Sequence, residues 1–201
     1  MGPDLPVKYD EFEQGWRAFN QAFIVAYSPN RQEELFSILG PQADPQENLR
    51  LAAAKASEEV MQPGANGLGE RDQFFSWYNL GSSLTALGDY PAAASAFDQA
   101  FAIYASIPEV DRPWRVLWYR SEPLEAFYQM GRVQDVLTLG NQALDSAGGP
   151  LLEESFYWLG RARQDLGDME KAVYDYCQAV NINPHSTPAQ SELERLGAEC
   201  P

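Results

Sequence analysis

Trp77-Tyr78-Asn79-Leu80-Gly81, followed at fixed offsets by Leu84, Leu87-Gly88-Asp89-Tyr90, Ala93, Phe97 and Ala100, is the stretch that decides the fold. It recurs as Phe156-Tyr157-Trp158-Leu159-Gly160, then Leu166-Gly167-Asp168-Met169, Ala172, Tyr176, Ala179 and Pro184. A weaker copy lies between them, with Leu124, Phe127, Met130-Gly131-Arg132-Val133, Val136 and Ala143. Such recurrence describes paired antiparallel helices. Small residues at the Gly81 and Ala93 types of position let two helices approach, and large ones at the Trp77, Leu80 and Phe97 types fill the space beside them. The Gly-Asp pairs supply the turn between helices, glycine being free to take positive φ. One such pair cannot bury its own apolar face, so neighbours must stack. Counted from Phe74, Leu117 and Glu153, the copies start 43 and then 36 residues apart. The surplus falls in Ile107-Pro108-Glu109-Val110-Asp111-Arg112-Pro113 and Gly148-Gly149-Pro150, both read as loops.

This pattern resembles the tetratricopeptide repeat, whose repeat of roughly 34 residues reads W-x2-L-G-x2-Y, then A-x3-F, then P. The first copy matches at Trp77, Leu80, Gly81, Ala93 and Phe97, with Leu84 in place of the tyrosine. The last matches at Leu159, Gly160, Ala172 and Pro184, with Phe156 and Tyr176 as aromatic substitutes and Arg163 for the tyrosine. The middle copy departs most, with Arg120, Pro123 and Gly140 at the tryptophan, leucine and second aromatic. The resemblance implies an all-α, tetratricopeptide-type helix-hairpin solenoid forming a single domain over 1–201. Its parts are N-terminal helices or a degenerate repeat at 9–63, repeats at 72–107, 113–147 and 151–184, and a capping helix at 187–197.

It also implies a non-catalytic scaffold that binds a protein or peptide partner along a concave groove. In this family positions 2, 5, 9 and 12 of each first helix face that groove. Here they are Phe75, Tyr78, Ser82 and Thr85, then Trp118, Ser121, Glu125 and Tyr128, then Glu154, Tyr157, Arg161 and Gln164. No lysine stands among them, so the family's clamp on a C-terminal carboxylate is not expected. An aromatic, partly polar trough is, with Tyr78, Trp118 and Tyr157 as its stripe. The same rings are equally suited to filling space between repeats.

A second resemblance rests on Arg112-Pro113-Trp114-Arg115-Val116-Leu117-Trp118-Tyr119 and the order of Glu125-Ala126-Phe127-Tyr128, Gly131-Arg132, Asp135-Val136-Leu137 and Glu153-Glu154-Ser155-Phe156-Tyr157-Trp158. Residues of about 10–197 are similar to a helical region C-terminal to C39-like, papain-fold peptidase domains in some secreted bacterial proteins. That similarity implies an extracytoplasmic accessory domain, the alternative to a free-standing scaffold. The peptidase's own Cys/His machinery has no counterpart here.

Local signals place the remaining helices. Asp10-Glu11-Phe12-Glu13 reads as a capping box opening a helix with Phe12, Trp16, Phe19 and Phe23 on one stripe. Asn30-x-x-Glu33 starts a short helix stopping at Gly40-Pro41, and Asp44-Pro45-Gln46-Glu47 starts one running to about Met61. The alanine-rich part of that helix is expected to pack under the Trp77 helix. Thr187-Pro188-Ala189-Gln190 reads as the cap of the last helix, which stops at Gly197. Pro123 either kinks one helix running from about Trp114 to Met130, or falls near the start of a new one at Ser121; it could also open the groove beside Trp118.

Fourteen basic against 29 acidic residues give a net charge of −15, which repels nucleic acid and anionic membranes. No apolar run is long enough to span a bilayer, so membrane insertion is not expected. The N-terminus lacks the basic start and apolar core of a secretory leader, which suits a cytoplasmic protein or a processed fragment alike. Cys177 and Cys200 are two thiols or one disulfide. With His185 the only histidine, neither a metal site, a cofactor nor a Cys177/His185 nucleophile pair is expected. The carboxylate pairs Asp165/Asp168 and Glu153/Glu154 read as solvated helix faces, and Gly64-Ala65-Asn66-Gly67-Leu68-Gly69 as a loop lacking a GKS/T ending.

Overall fold

The computed structural model describes residues 6–62, 68–113, 115–147 and 152–200. Pro63-Gly64, most of the glycine-rich stretch after them, Trp114 and the Gly148-Gly149-Pro150 turn lie outside these residues. The described residues are helix and connecting loop without a strand, and the fold is all-α and of the helix-hairpin repeat type. The chain divides into two compact units, Met1–Arg112 and Pro113–Pro201.

The first unit contains α1 (Tyr9–Arg17), α2 (Gln32–Leu39), α3 (Pro45–Met61), α4 (Glu70–Ala86) and α5 (Tyr90–Ser106). The α4/α5 hairpin is its centre, and α3 packs against α4. Gly81 shows why a side chain is absent there: a Cβ would meet the Phe97 ring at 2.7 Å. Phe74, Tyr78 and Phe97 are fully buried, with ring centroids 5.5 Å (Phe74–Tyr78) and 5.2 Å (Tyr78–Phe97) apart. From α3, Ala53 and Ala56 are buried, as the alanine run anticipates. Asp44 caps α3 through its Oδ1, which accepts from the Glu47 N–H at 2.8 Å.

The N-terminal helix differs from its expected form. It starts at Tyr9, where the Lys8 backbone N–H reaches the Glu11 carboxylate at 3.4 Å, so Asp10 is not the cap. It also stops at Arg17, before Phe19 and Phe23, because Asn20 and Gln21 turn the chain with φ of 53° and 52°. Asn79 donates from Nδ2 to the Arg17 carbonyl at 2.7 Å, so α4 satisfies the end of α1. Likewise a 3-10 turn at Pro29–Arg31 precedes α2, which begins at Gln32 rather than after an Asn30 cap.

The second unit contains α6 (Glu122–Gln129), α7 (Val133–Ala147), α8 (Glu153–Asp165), α9 (Met169–Ile182) and α10 (Thr187–Leu196). Hairpins α6/α7 and α8/α9 stack through α7 against α8 and α6 against α8, and α10 lies on α9. Pro123 sits in the first turn of α6 and is buried, where its missing N–H leaves no hydrogen bond unmade. The residues before it form a separate 3-10 turn, Val116–Trp118. The repeat motif's small-residue logic is reused in the aberrant middle copy: a Cβ on Gly140 would meet Leu159 at 2.7 Å, so α8 drives a leucine into the space that an aromatic on α7 would need. Leu193 of α10 is buried in the core that includes Tyr176, Phe156 and Cys177. Ser186, not Thr187, precedes the first turn of α10, and Gly197 ends it at a φ of 62°.

Gly88 and Gly167 turn the two strongest hairpins at φ of 80° and 81°, with open space where a Cβ would stand. Gly88→Ala and Gly167→Ala should therefore each cost about 1 kcal/mol through backbone strain alone. Urea unfolding of each variant is the check, and a cost near zero would contradict the turn geometry.

Candidate functional site

The first helices of the second unit carry the best-formed cluster. Tyr128 lies in the last turn of α6, and Tyr157, Trp158 and Arg161 lie on α8, which packs beside it. Trp158 sits between two tyrosines, its ring 5.3 Å from Tyr128 and 4.9 Å from Tyr157. The Arg161 guanidinium lies 4.9 Å from the Tyr128 ring and 5.8 Å from that of Tyr157. Its Nη1 donates to the Tyr157 hydroxyl at 2.8 Å and lies 3.7 Å from the Glu192 carboxylate of α10. All four side chains are partly exposed. The result is a cation among aromatic faces, an arrangement worth more as water is excluded.

Burial works against the charge of Arg161, but the Tyr157 hydroxyl, with Tyr128 nearby, holds its pKa above the ordinary range, so it stays a cation. Burial, with help from the Asp165 carboxylate, raises that of Tyr128, which stays neutral. The buried Nε of Arg161 has no hydrogen-bond acceptor among the described residues. Such a donor is costly to leave unmet.

The other expected groove positions are placed differently. Phe75, Tyr78 and Ser82 are buried, with exposures of 4, 0 and 5%. Tyr78 is enclosed by Phe74, Phe97 and Phe101, and the Ser82 hydroxyl is spent on the Tyr78 carbonyl at 3.0 Å. In the second unit Trp118 belongs to the 3-10 turn, not to the helix of Glu125 and Tyr128, so regular helical spacing does not connect it to them. Its indole N–H donates to the Ser146 hydroxyl at 3.2 Å, and Arg115 lies 5.6 Å from its ring. Ser121 precedes α6 without capping it through its side chain, and Glu125 is half-buried on α6. Trp158 and Glu192 were outside the expected set. Trp158 follows Tyr157 directly and falls off the repeat's groove positions; Glu192 comes from a helix outside the repeats altogether.

The acid and thiol candidates have structural roles. Cys177 and Cys200 form a disulfide, with Cα atoms 5.4 Å apart, which removes the thiol a Cys177/His185 nucleophile would need. His185 is exposed, with its backbone N–H bonded to Asn183 at 3.0 Å. Asp168 caps α9 and pairs with Lys171 at 2.6 Å, while Glu153 accepts from Asn183 at 2.6 Å. Among the described residues no cluster of three or more metal-ligating side chains occurs, and no helix is long and apolar enough to cross a membrane.

Stacked helix hairpins define a helical-repeat module. Residues 76–106 and 153–186 match the family model described as Tetratricopeptide repeat. The matched segments cover α4/α5 and α8/α9 and leave out the aberrant middle copy. Comparison with curated proteins and with solved structures finds no match. Tetratricopeptide repeats generally serve as non-catalytic scaffolds for protein–protein interaction.

Proposed function

We propose that this chain is a non-catalytic scaffold that captures an extended peptide of a protein partner on the first helices of its second unit, at Tyr128, Tyr157, Trp158 and Arg161. The observation that supports this reading is Arg161, a cation ringed by half-exposed aromatics. Rigid aromatic rings give large contact area at small side-chain entropy cost, and an arginine supplies direction. Ser121, Glu125 and Trp118 would border the bound segment, whereas Phe75, Tyr78 and Ser82 act as core. Peptides selected from a random display library on the wild-type chain should lose at least tenfold in affinity for Trp158→Ala and for Arg161→Ala. Both variants should keep a cooperative melt. Failure to select any peptide, or selected peptides that bind both variants unchanged, would refute the site.

A second reading, an accessory region of a secreted peptidase-like or cell-envelope protein, is favoured by the Cys177–Cys200 disulfide. Such bonds persist in oxidising compartments and are rare in the cytosol. The two readings are compatible, because an accessory region can capture the partner on which its neighbour acts.

A further inference from the structure

A cleft lies in the first unit, away from the repeat hairpin. The helices α1 and α3, the turn at Asn20–Gln21 and the 3-10 turn Gly40–Ala43 border an open cleft of about 500 Å³. That volume is within the roughly 300–1,000 Å³ usual for small-ligand sites. Four aromatic side chains wall it: Tyr9, Phe12, Trp16 and Phe23. Tyr9, Phe12 and Phe23 are 83, 55 and 44% exposed, although burial is the normal fate of such rings. Trp16 is held in place by its indole N–H, which donates to the Ala22 carbonyl at 2.7 Å, and by Phe12, whose ring lies 5.6 Å away.

The polar part of the cleft narrows the chemistry of the ligand. Gln21, Gln42 and Asn48 line it, and their side-chain amides form no hydrogen bond with another described residue. Its charged wall residues are Glu13 and Lys55, which lie 3.8 Å apart and cancel. In a chain of net charge −15, this is a surface without net charge. Neither an anionic nor a cationic ligand finds an uncompensated counter-charge. Each free amide offers a donor and an acceptor, and the Glu13–Lys55 pair adds one of each kind. A proline-rich peptide would stack on the rings but presents mainly carbonyl acceptors, leaving Glu13 and the amide oxygens without donors. Hydroxyl groups supply both donor and acceptor. A pyranose ring also turns a face of weakly positive C–H bonds toward the negative face of an aromatic ring.

The turn that presents Gln21 adds an independent observation. Two consecutive non-glycine residues hold left-handed backbone there, with φ of 53° and 52°. The surrounding structure maintains them: the Asn20 side chain donates to Ser83 of α4 at 3.1 Å, and the Gln21 N–H to the Trp16 carbonyl at 3.1 Å. Strain of this kind collects where a side chain must be aimed.

From the rings, the unpartnered amides and the balanced charge, we infer that this cleft binds an uncharged, hydroxyl-rich ligand of the oligosaccharide class. The test is calorimetric titration of the full chain with chitotetraose, cellotetraose and maltotetraose, and with decaproline as the competing chemistry. At least one tetrasaccharide should bind saturably, and Tyr9→Ala and Gln42→Ala should each weaken it at least fivefold. Both residues are largely exposed, so circular dichroism of the variants should match wild type. If one variant nevertheless misfolds, the other carries the comparison. No saturable binding of any tetrasaccharide would overturn the inference. Binding that neither substitution weakens, or decaproline binding while the saccharides stay silent, would overturn it equally.

Discussion

Arg163→Met should destabilise the chain by about 3 kcal/mol at pH 8, with roughly 1.4 kcal/mol of that deficit disappearing at pH 5. Arg163 Nη1 donates to both carboxylate oxygens of Asp175 at 2.6 Å, bridging α8 to α9, and its Nη2 donates to the Asn141 side-chain oxygen of α7 at 3.3 Å. The Asp175 side chain is 1% exposed. Burial pushes its carboxyl up to about 7, against the pull of Arg163. A carboxyl with a raised folded pKa binds its proton in the native chain while the unfolded chain, titrating near 4, has released it. Wild-type stability should accordingly decline between about pH 4 and 7, by about 4 kcal/mol. Above about 7 the wild-type carboxylate ionises against Arg163, whereas in Arg163→Met it has no cation and its pKa rises further. The difference between the two proteins therefore grows above that pH and shrinks below it. Urea titrations of both chains at pH 5 and pH 8 provide the check. A deficit of equal size at the two values would mean that Asp175 does not titrate in this window. Introduced into an Asp175→Asn background and compared with that background, Arg163→Met should give a deficit without this pH dependence.

Breaking the disulfide carries the second large effect. Cys200→Ser should cost about 3 kcal/mol, the chain-entropy value for opening a loop of this length. The bond ties α9 to the segment after α10 across a separation of 23 residues, and Cys177 is buried beside Tyr176 and Leu193. Opening it frees the end of the cap while its sulfur partner stays in the core. Intact mass of unreduced protein, before and after alkylation under denaturing conditions, should show a mass two hydrogen atoms short of the dithiol and no added label. Unfolding of wild type and variant then gives the energetic comparison. Two alkylatable thiols in protein prepared under oxidising conditions, or equal stability of the two chains, would contradict the pairing.

The repeat hairpins were legible because their signals are local or nearly so. Gly81, Gly88, Gly160 and Gly167 each declare a close approach or a left-handed turn that a side chain would spoil, and Asp44 declares a helix start. The middle copy was legible as an anomaly but not as a solution. That Gly140 makes room for Leu159 concerns two helices whose spacing is set by packing, not by either segment. Similarly, Phe19 and Phe23 continue a helical period that the backbone abandons at Asn20, because α4 supplies polar partners that stabilise a turn there.

Tyr78 and Tyr157 mark the boundary between the two kinds of information. They occupy the same place in successive strong repeats, and sequence treats them alike. Phe74, Phe97 and Phe101 close over the first, while Arg161 and Trp158 give the second a polar, half-exposed setting. From sequence alone came the helix pairs, their turns, the acidic character and the class of repeat, since backbone preference and burial period repeat every three to four residues. Which rings became core, which cysteine option was taken, and the meeting of Arg163 with Asp175 and Asn141 belong to the tertiary structure. Those outcomes depend on distances between side chains of different helices, which only the packed arrangement of the helices sets.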